Sequence, residues 1–180
     1  MKFPRVARLD DTDEHVYTRA AAVGEPAIPG TFAYTFSDED PVRFEGKRKQ
    51  AFRHGFLGLE SFGRCTVVTV SEMDEAEYKS VVERLAHHLV SEYGAPNLGD
   101  ALPVAREEVE YAAGLCEHEL NTVLAVERTI SGDGEIHETF KVIQPKARWE
   151  GQAVQIWAME PEEKDPTDGG AEGPPNGGTQ

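Results

Sequence analysis

A carboxylate on the apolar face of a helix is the residue in this sequence whose placement most invites chemistry. In "PVAREEVEYAAGLC" (residues 103–116), Glu108 has Val104, Ala105, Ala112 and Leu115 around it on a helical wheel. Such a carboxyl either pairs with a cation, for which Arg43, Arg53, Arg64 and Arg128 are available, or caps a neighbouring loop, or sits in a pocket as an acid of raised pKa. The ion pair is the simpler reading, because carboxylates are seldom buried without a partner.

A second group is Cys116, His118 and, from another helix, His88. A zinc site needs three or four converging ligands, and a thiol nucleophile needs a base within hydrogen-bonding reach. Cys116 falls on the side of Val109 and Ala112, where a small buried hydrophobe is expected, and residues two apart at a helix end do not face each other. His87 should face water and His88 only flanks the apolar stripe. The run "DDTDEH" (residues 10–15) clusters oxygens but lacks the calcium-loop spacing, so it reads as a solvated turn between two strands. No metal and no cofactor are expected.

The segment "AFRHGFLGLESFGRCTVVTV" (residues 51–70) spaces its glycines as G-x-x-G-x-x-x-x-G, which is neither a dinucleotide nor a P-loop pattern. A helix stop at a left-handed Gly55, an apolar bridge of Phe56, Leu57, Leu59 and Phe62, and a turn into a strand at Arg64 account for it as scaffold. His54 and Glu60 are left over. A pocket near Glu108, His54, Gly55 and Gly58 is therefore the candidate ligand site, with no catalytic residue assigned. Lys47, Arg48 and Lys49 form a basic cluster that reads either as a soluble helix face or as a contact for an acidic partner or a phosphate.

The elements that must position these residues alternate between the two periods. Residues 3–9, 15–19 and "TFAYTF" (31–36) read as strands, the last with Phe32, Tyr34 and Phe36 on one face. A short helix over 47–54 precedes a central strand over 64–71. Helices over 74–93, with Tyr78, Val82, Leu85 and Leu89 as its apolar stripe, and over 103–116, with Pro103 at its first turn, lead to a hairpin of "NTVLAVERTI" and "IHETFKVI" around "SGDG". "AVQIWAM" (153–159) would close the sheet, and Trp149 and Trp157 belong to the core or to an interface. The predicted fold is α+β, a mostly antiparallel sheet with two main helices packed on one face, occupying residues 1–160.

From residue 161 the chain has nine Gly or Pro in twenty residues and no large apolar side chain, the composition of a disordered tail. That tail carries a net −4 of the chain's −15, so the body is acidic in its own right. An acidic surface repels nucleic acid and anionic lipid and can steer a basic protein partner. Two cysteines far apart suggest neither a disulfide framework nor a zinc knuckle, and no apolar run approaches about 20 residues, which points to a cytoplasmic protein. A non-catalytic accessory or protein-interaction module is the leading expectation, with the ligand pocket as its alternative.

The stretches "MKFPRVARLDDTD", "KQAFRHGFLGLESFGRCT", "SEYGAPNL", "EEVEYAAGLC" and "NTVLAVERT" resemble an uncharacterised family of small bacterial proteins, a domain of unknown function. The resemblance covers about residues 2–145 and implies a bacterial cytoplasmic protein without assigning an activity to any residue.

Overall fold

A computed structural model of the chain describes residues 1–36 and 39–143. The expected closing strand at 153–159, Trp149, Trp157 and the acidic tail lie outside the described residues. The architecture is an α+β mix in which every strand pair is antiparallel. Two sheets take the place of the single one expected. The larger contains β1 (Lys2–Ala7), β5 (Val67–Glu72), β6 (Val123–Ile130) and β7 (Ile136–Ile143) in the order β1-β5-β6-β7. The smaller contains β2 (Ala27–Ile28), β3 (Phe56–Gly58) and β4 (Arg64–Cys65) in that order.

The helix α4 (Glu75–Glu92) starts where the Asp74 carboxylate accepts the amide of Glu77 and buries Val81, Val82, Leu85, Ala86 and Leu89, close to the stripe read from its period. It packs on α5 (Leu98–Gly114). That helix begins five residues before the predicted start, because Asn97 is the cap: its side-chain oxygen accepts the amide of Asp100 at 3.1 Å. Pro103 consequently sits in the helix interior, on an exposed face. One core cluster lies between α4, α5, Phe3 and the β2–β3 pair, and the other joins the two sheets through Val6, Ala27, Phe56, Cys65, Val68 and Leu124.

Two short predicted strands are replaced and a third is divided, each through a specific tertiary bond. Residues 15–19 begin inside a helix, α1 (Thr12–Val16), because Asp13 turns inward and its carboxylate accepts the Thr66 hydroxyl at 2.6 Å and the Thr66 amide. The same bonds break the predicted 64–71 strand at Thr66, so that β4 joins the small sheet and β5 the large one. "TFAYTF" forms the single-turn helix α2 (Phe32–Thr35), since the Pro29 carbonyl and the Thr31 hydroxyl just before it are both claimed by Arg128. Phe32 is buried edge-on to Tyr93, Tyr34 turns to Phe52, and Phe36 is exposed, so the three rings share no face.

Helix α3 (Gly46–His54) matches its expected span. Gly55 does not end it in the left-handed region: its φ is −88° and ψ 121°, an extended conformation open to any residue. Glycine is needed there for space, because a Cβ would lie 2.6 Å from the Ala51 carbonyl oxygen.

Candidate functional site

The buried ionisable side chains are committed to the scaffold. Arg128, on the inner face of β6, is fully buried and donates in every direction: Nη1 to the carbonyls of Phe52 (2.9 Å) and Gly55 (3.0 Å), Nη2 to that of Pro29 (2.6 Å), and Nε to the Thr31 hydroxyl and to Glu138 (both 2.8 Å). Glu138 faces it across the hairpin, and the two form the buried salt bridge of the large sheet. Glu25 is buried in the turn before β2 and accepts the amides of Ala22, Glu60 and Ser61 at 2.6–2.7 Å and the Ser61 hydroxyl at 2.5 Å. Burial raises the Asp13 pKa despite its bonds to Thr66. These three anchors were not legible as sites, although Arg128 opposite Glu138 follows from the register of the predicted hairpin.

The four candidate ligand residues occupy three settings. Glu108 is half-buried on α5, and desolvation, then the nearby charges of Glu138 and Glu107, push its pKa up against the opposing pull of Arg128. Of its expected mates, Arg128 is the one that faces it, but the salt bridge of Arg128 goes to Glu138. Gly55 meets the same cation through its carbonyl. His54 lies against β6: its Nδ1 is 3.4 Å from the Val126 carbonyl, and burial lowers its pKa. Gly58 backs onto Glu25, whose carboxyl carbon would be 2.6 Å from an added Cβ.

Cys116 is buried in the core and its thiol is pushed up to about 11, chiefly by desolvation, while His118 is exposed and uses its backbone carbonyl to accept Lys2. His88 stacks on Phe62 with ring centroids 3.6 Å apart, its pKa lowered by burial. These three do not converge. In the acidic run, Asp10 accepts the Thr12 amide, Asp11 lies 3.6 Å from His15, and Asp13 is turned inward, so the segment leads into the short helix α1 with one carboxylate buried and the others exposed, rather than forming a wholly solvated turn between strands.

The basic cluster on α3 leads to a different site. A cavity of about 230 Å³ is walled by Tyr34, Phe44 and Tyr93, with Arg48 and Arg64 projecting into it. An adjoining cavity of about 200 Å³ shares Arg48, Ala51 and Arg64 and adds Arg19, Lys47, Thr18, Tyr17 and Phe62. Among the described residues neither wall contains a carboxylate. Arg48 stacks on Phe44 (4.6 Å) and pairs with Glu39. Arg64 lies over Tyr34 at 5.1 Å, is half-buried, and has no carboxylate within 4 Å among the described residues. Gly30 makes room for it: at φ +68°, an added Cβ would meet Leu57 at 2.7 Å and the Arg64 guanidinium at 3.3 Å. The Tyr34 hydroxyl is buried with no hydrogen-bond partner.

The loop that carries Phe62 into this wall is held in a costly shape. Phe62 has φ 52°, a conformation worth roughly 1–2 kcal/mol against an L side chain, and the Glu25 cage on Glu60 and Ser61 together with the His88 stack holds it there. Sequence reading located Lys47 and Arg48 but not Arg19 or Arg64, which come from separate segments and meet them only through the fold. Rings hold the guanidinium planes, one Nη of Arg48 is taken by Glu39, and Arg64 Nη1 reaches the Gly55 carbonyl at 3.5 Å, which leaves the other donors of the two forks for an anion.

No helix among the described residues is long and apolar enough to cross a membrane. Over residues 1–160 the chain matches a family of unknown function, DUF6505. A search of the curated proteins found no match, and a search of the solved structures found none.

Proposed function

We propose, from the premise that the chain belongs to this family of unknown function, that it is a non-catalytic binding module whose ligand is a small anion held between α2, α3 and β4. The observation that carries the reading is Arg64: a half-buried cation with no carboxylate partner among the described residues, facing a second guanidinium in the walls of paired cavities. A half-buried charge without a counter-charge has lost part of its hydration, and an anionic ligand supplies what the chain does not. The cations line concave walls, which suits a small molecule better than the surface of a protein partner. A bacterial cytoplasm is the setting this reading favours, and two buried, unbridged cysteines fit a reducing compartment.

Calorimetric titration of the full chain with inorganic phosphate and with phenyl phosphate tests the reading, beside an Arg64→Gln variant whose folding is verified by circular dichroism. Saturable binding of at least one of the two, weakened roughly tenfold or more in the variant, is expected, because a charge-assisted fork contributes about 1.5–3 kcal/mol. Heats that never saturate at millimolar anion, or binding indifferent to Arg64, would overturn it.

A further inference from the structure

Resting on that anion-site reading, we infer that the occupant is a phosphomonoester carrying a planar ring, with its phosphoryl group in the cationic chamber and its ring in the aromatic one. The two chambers differ in chemistry. One is walled by the rings of Tyr34, Phe44 and Tyr93; the other adds the cations Arg19 and Lys47 beside the rings of Tyr17 and Phe62; Arg48 and Arg64 stand in both. A ligand that fills the pair is suited by a flat apolar end among the three rings and an anionic end where the two further cations stand. Together the chambers fall within the range of about 300–1,000 Å³ that small-molecule sites occupy.

The cations select phosphate over carboxylate. A carboxylate presents two oxygens in one plane and is satisfied by a single guanidinium fork, whereas a phosphoryl group presents three oxygens that diverge. Arg48 and Arg64 come from α3 and β4, Lys47 from the first turn of α3, and Arg19 from the segment after α1, so the donors approach from three elements. One positive charge is already matched by Glu39, leaving three for a group that carries close to two negative charges at neutral pH. Arg19 already donates to the Ser61 carbonyl at 3.0 Å, which holds its side chain against the 59–63 loop.

The ring end has its own determinants. Tyr93 is held edge-on to Phe32 at 5.1 Å, and Tyr34 and Phe44 are held edge-on to Phe52 at 5.1 and 6.1 Å and tilted against each other, so the three rings of the wall are fixed before a ligand arrives. The partnerless Tyr34 hydroxyl lies at the same wall and offers a donor to a ring nitrogen or to an ester oxygen.

Calorimetry with adenosine 5′-monophosphate, ribose 5-phosphate, adenosine and benzoate on the full chain separates the parts of the inference. The monophosphate should bind at least tenfold tighter than ribose 5-phosphate, and adenosine and benzoate should bind more weakly than either. Tyr93→Leu should narrow the gap between the two phosphates without changing ribose 5-phosphate binding, and Lys47→Gln should weaken both phosphates alike. Equal affinity for the two phosphates would sink the ring while leaving the anion site standing. Adenosine binding as tightly as its monophosphate, or benzoate outbinding both phosphates, would sink the phosphoryl group. If none of the four binds and inorganic phosphate and phenyl phosphate also fail, the anion-site reading falls with it.

Discussion

Glu108 shows how one side chain changes meaning between sequence and structure. Its place on an amphipathic helix was readable, and so was the need for a cation; that the cation would be spent on Glu138 was not, because the pair forms across a hairpin rather than beside α5. Arg128 ties α3, the β2–α2 connection and β7 to β6, and removing it would leave Glu138 without its cation and the carbonyls of Phe52, Gly55 and Pro29 without this donor, a loss of about 3–5 kcal/mol by analogy with broken buried pairs. Glu108 is the converse case, a carboxylate next to two others with its cation shared. Its folded pKa is raised above its unfolded value of 4.5, so the stabilisation of its neutral form is complete below that value and is lost as pH rises through the folded pKa. At pH 7 the ionised group is a liability. Glu108→Gln is expected to raise Tm at pH 7 by roughly 1–3 °C, a modest figure because the group is half-exposed, and to leave it unchanged near pH 4. Thermal melts at both pH values check this, and an equal shift at both would show that charge is not the cause.

At the scale of elements, length decided what could be read. The eighteen residues of α4 and the eight-residue strands of the hairpin carry enough periods to declare themselves, and the structure places them where the pattern does. The segments at 15–19, 31–36 and 64–71 are short enough for a single long-range bond to choose their conformation, and Asp13–Thr66 and Arg128–Pro29 do so. The same limit hid the cationic cleft: Lys47 and Arg48 stand together in sequence, but Arg64 reaches them only because β4 leaves the path of β5 at Thr66. Gly55 ends α3 as the sequence suggests, but not through a left-handed backbone. Its backbone is extended, so Gly55→Ala should incur no φ penalty; it should instead lose about 1–3 kcal/mol through the close approach to the Ala51 carbonyl and the resulting displacement of α3 from β6. Urea denaturation would show this as a lower midpoint at constant slope. A variant as stable as the parent would mean that the helix end can yield by the better part of an ångström that the contact requires, and that α3 is not rigidly seated.

The whole molecule is dominated by its charge. Thirty-three acidic residues against eighteen basic ones give −15, while the salt bridges are mostly exposed pairs of the kind worth about 0–1 kcal/mol each; Arg128–Glu138 is the buried exception. Two terms then compete when salt is added at pH 7. Screening weakens the exposed pairs, which costs little, and it also weakens the repulsion among the unpaired carboxylates spread over the surface, which works against the compact state. Repulsion should win, because the excess of acids over bases leaves many carboxylates with no cation to lose. Raising sodium chloride from about 0.02 to about 0.5 M, where the screening length falls from roughly 20 to roughly 4 Å, is therefore expected to raise Tm by a few degrees at pH 7. The control is pH itself: near the sequence pI of about 4.8 the net charge vanishes, and the same salt step should bring no gain. Lowering the pH also protonates His54 and His88, whose folded pKa values lie below 6.5; their contribution is present above that value and is lost as pH falls through the folded pKa, so absolute stability at pH 4.8 includes that loss. The salt increment, measured at fixed pH, is separate from it. A chain that is destabilised by salt at pH 7 would mean that its ion pairs, and not its excess charge, set its response, and the acidic surface would have to be read as a paired network.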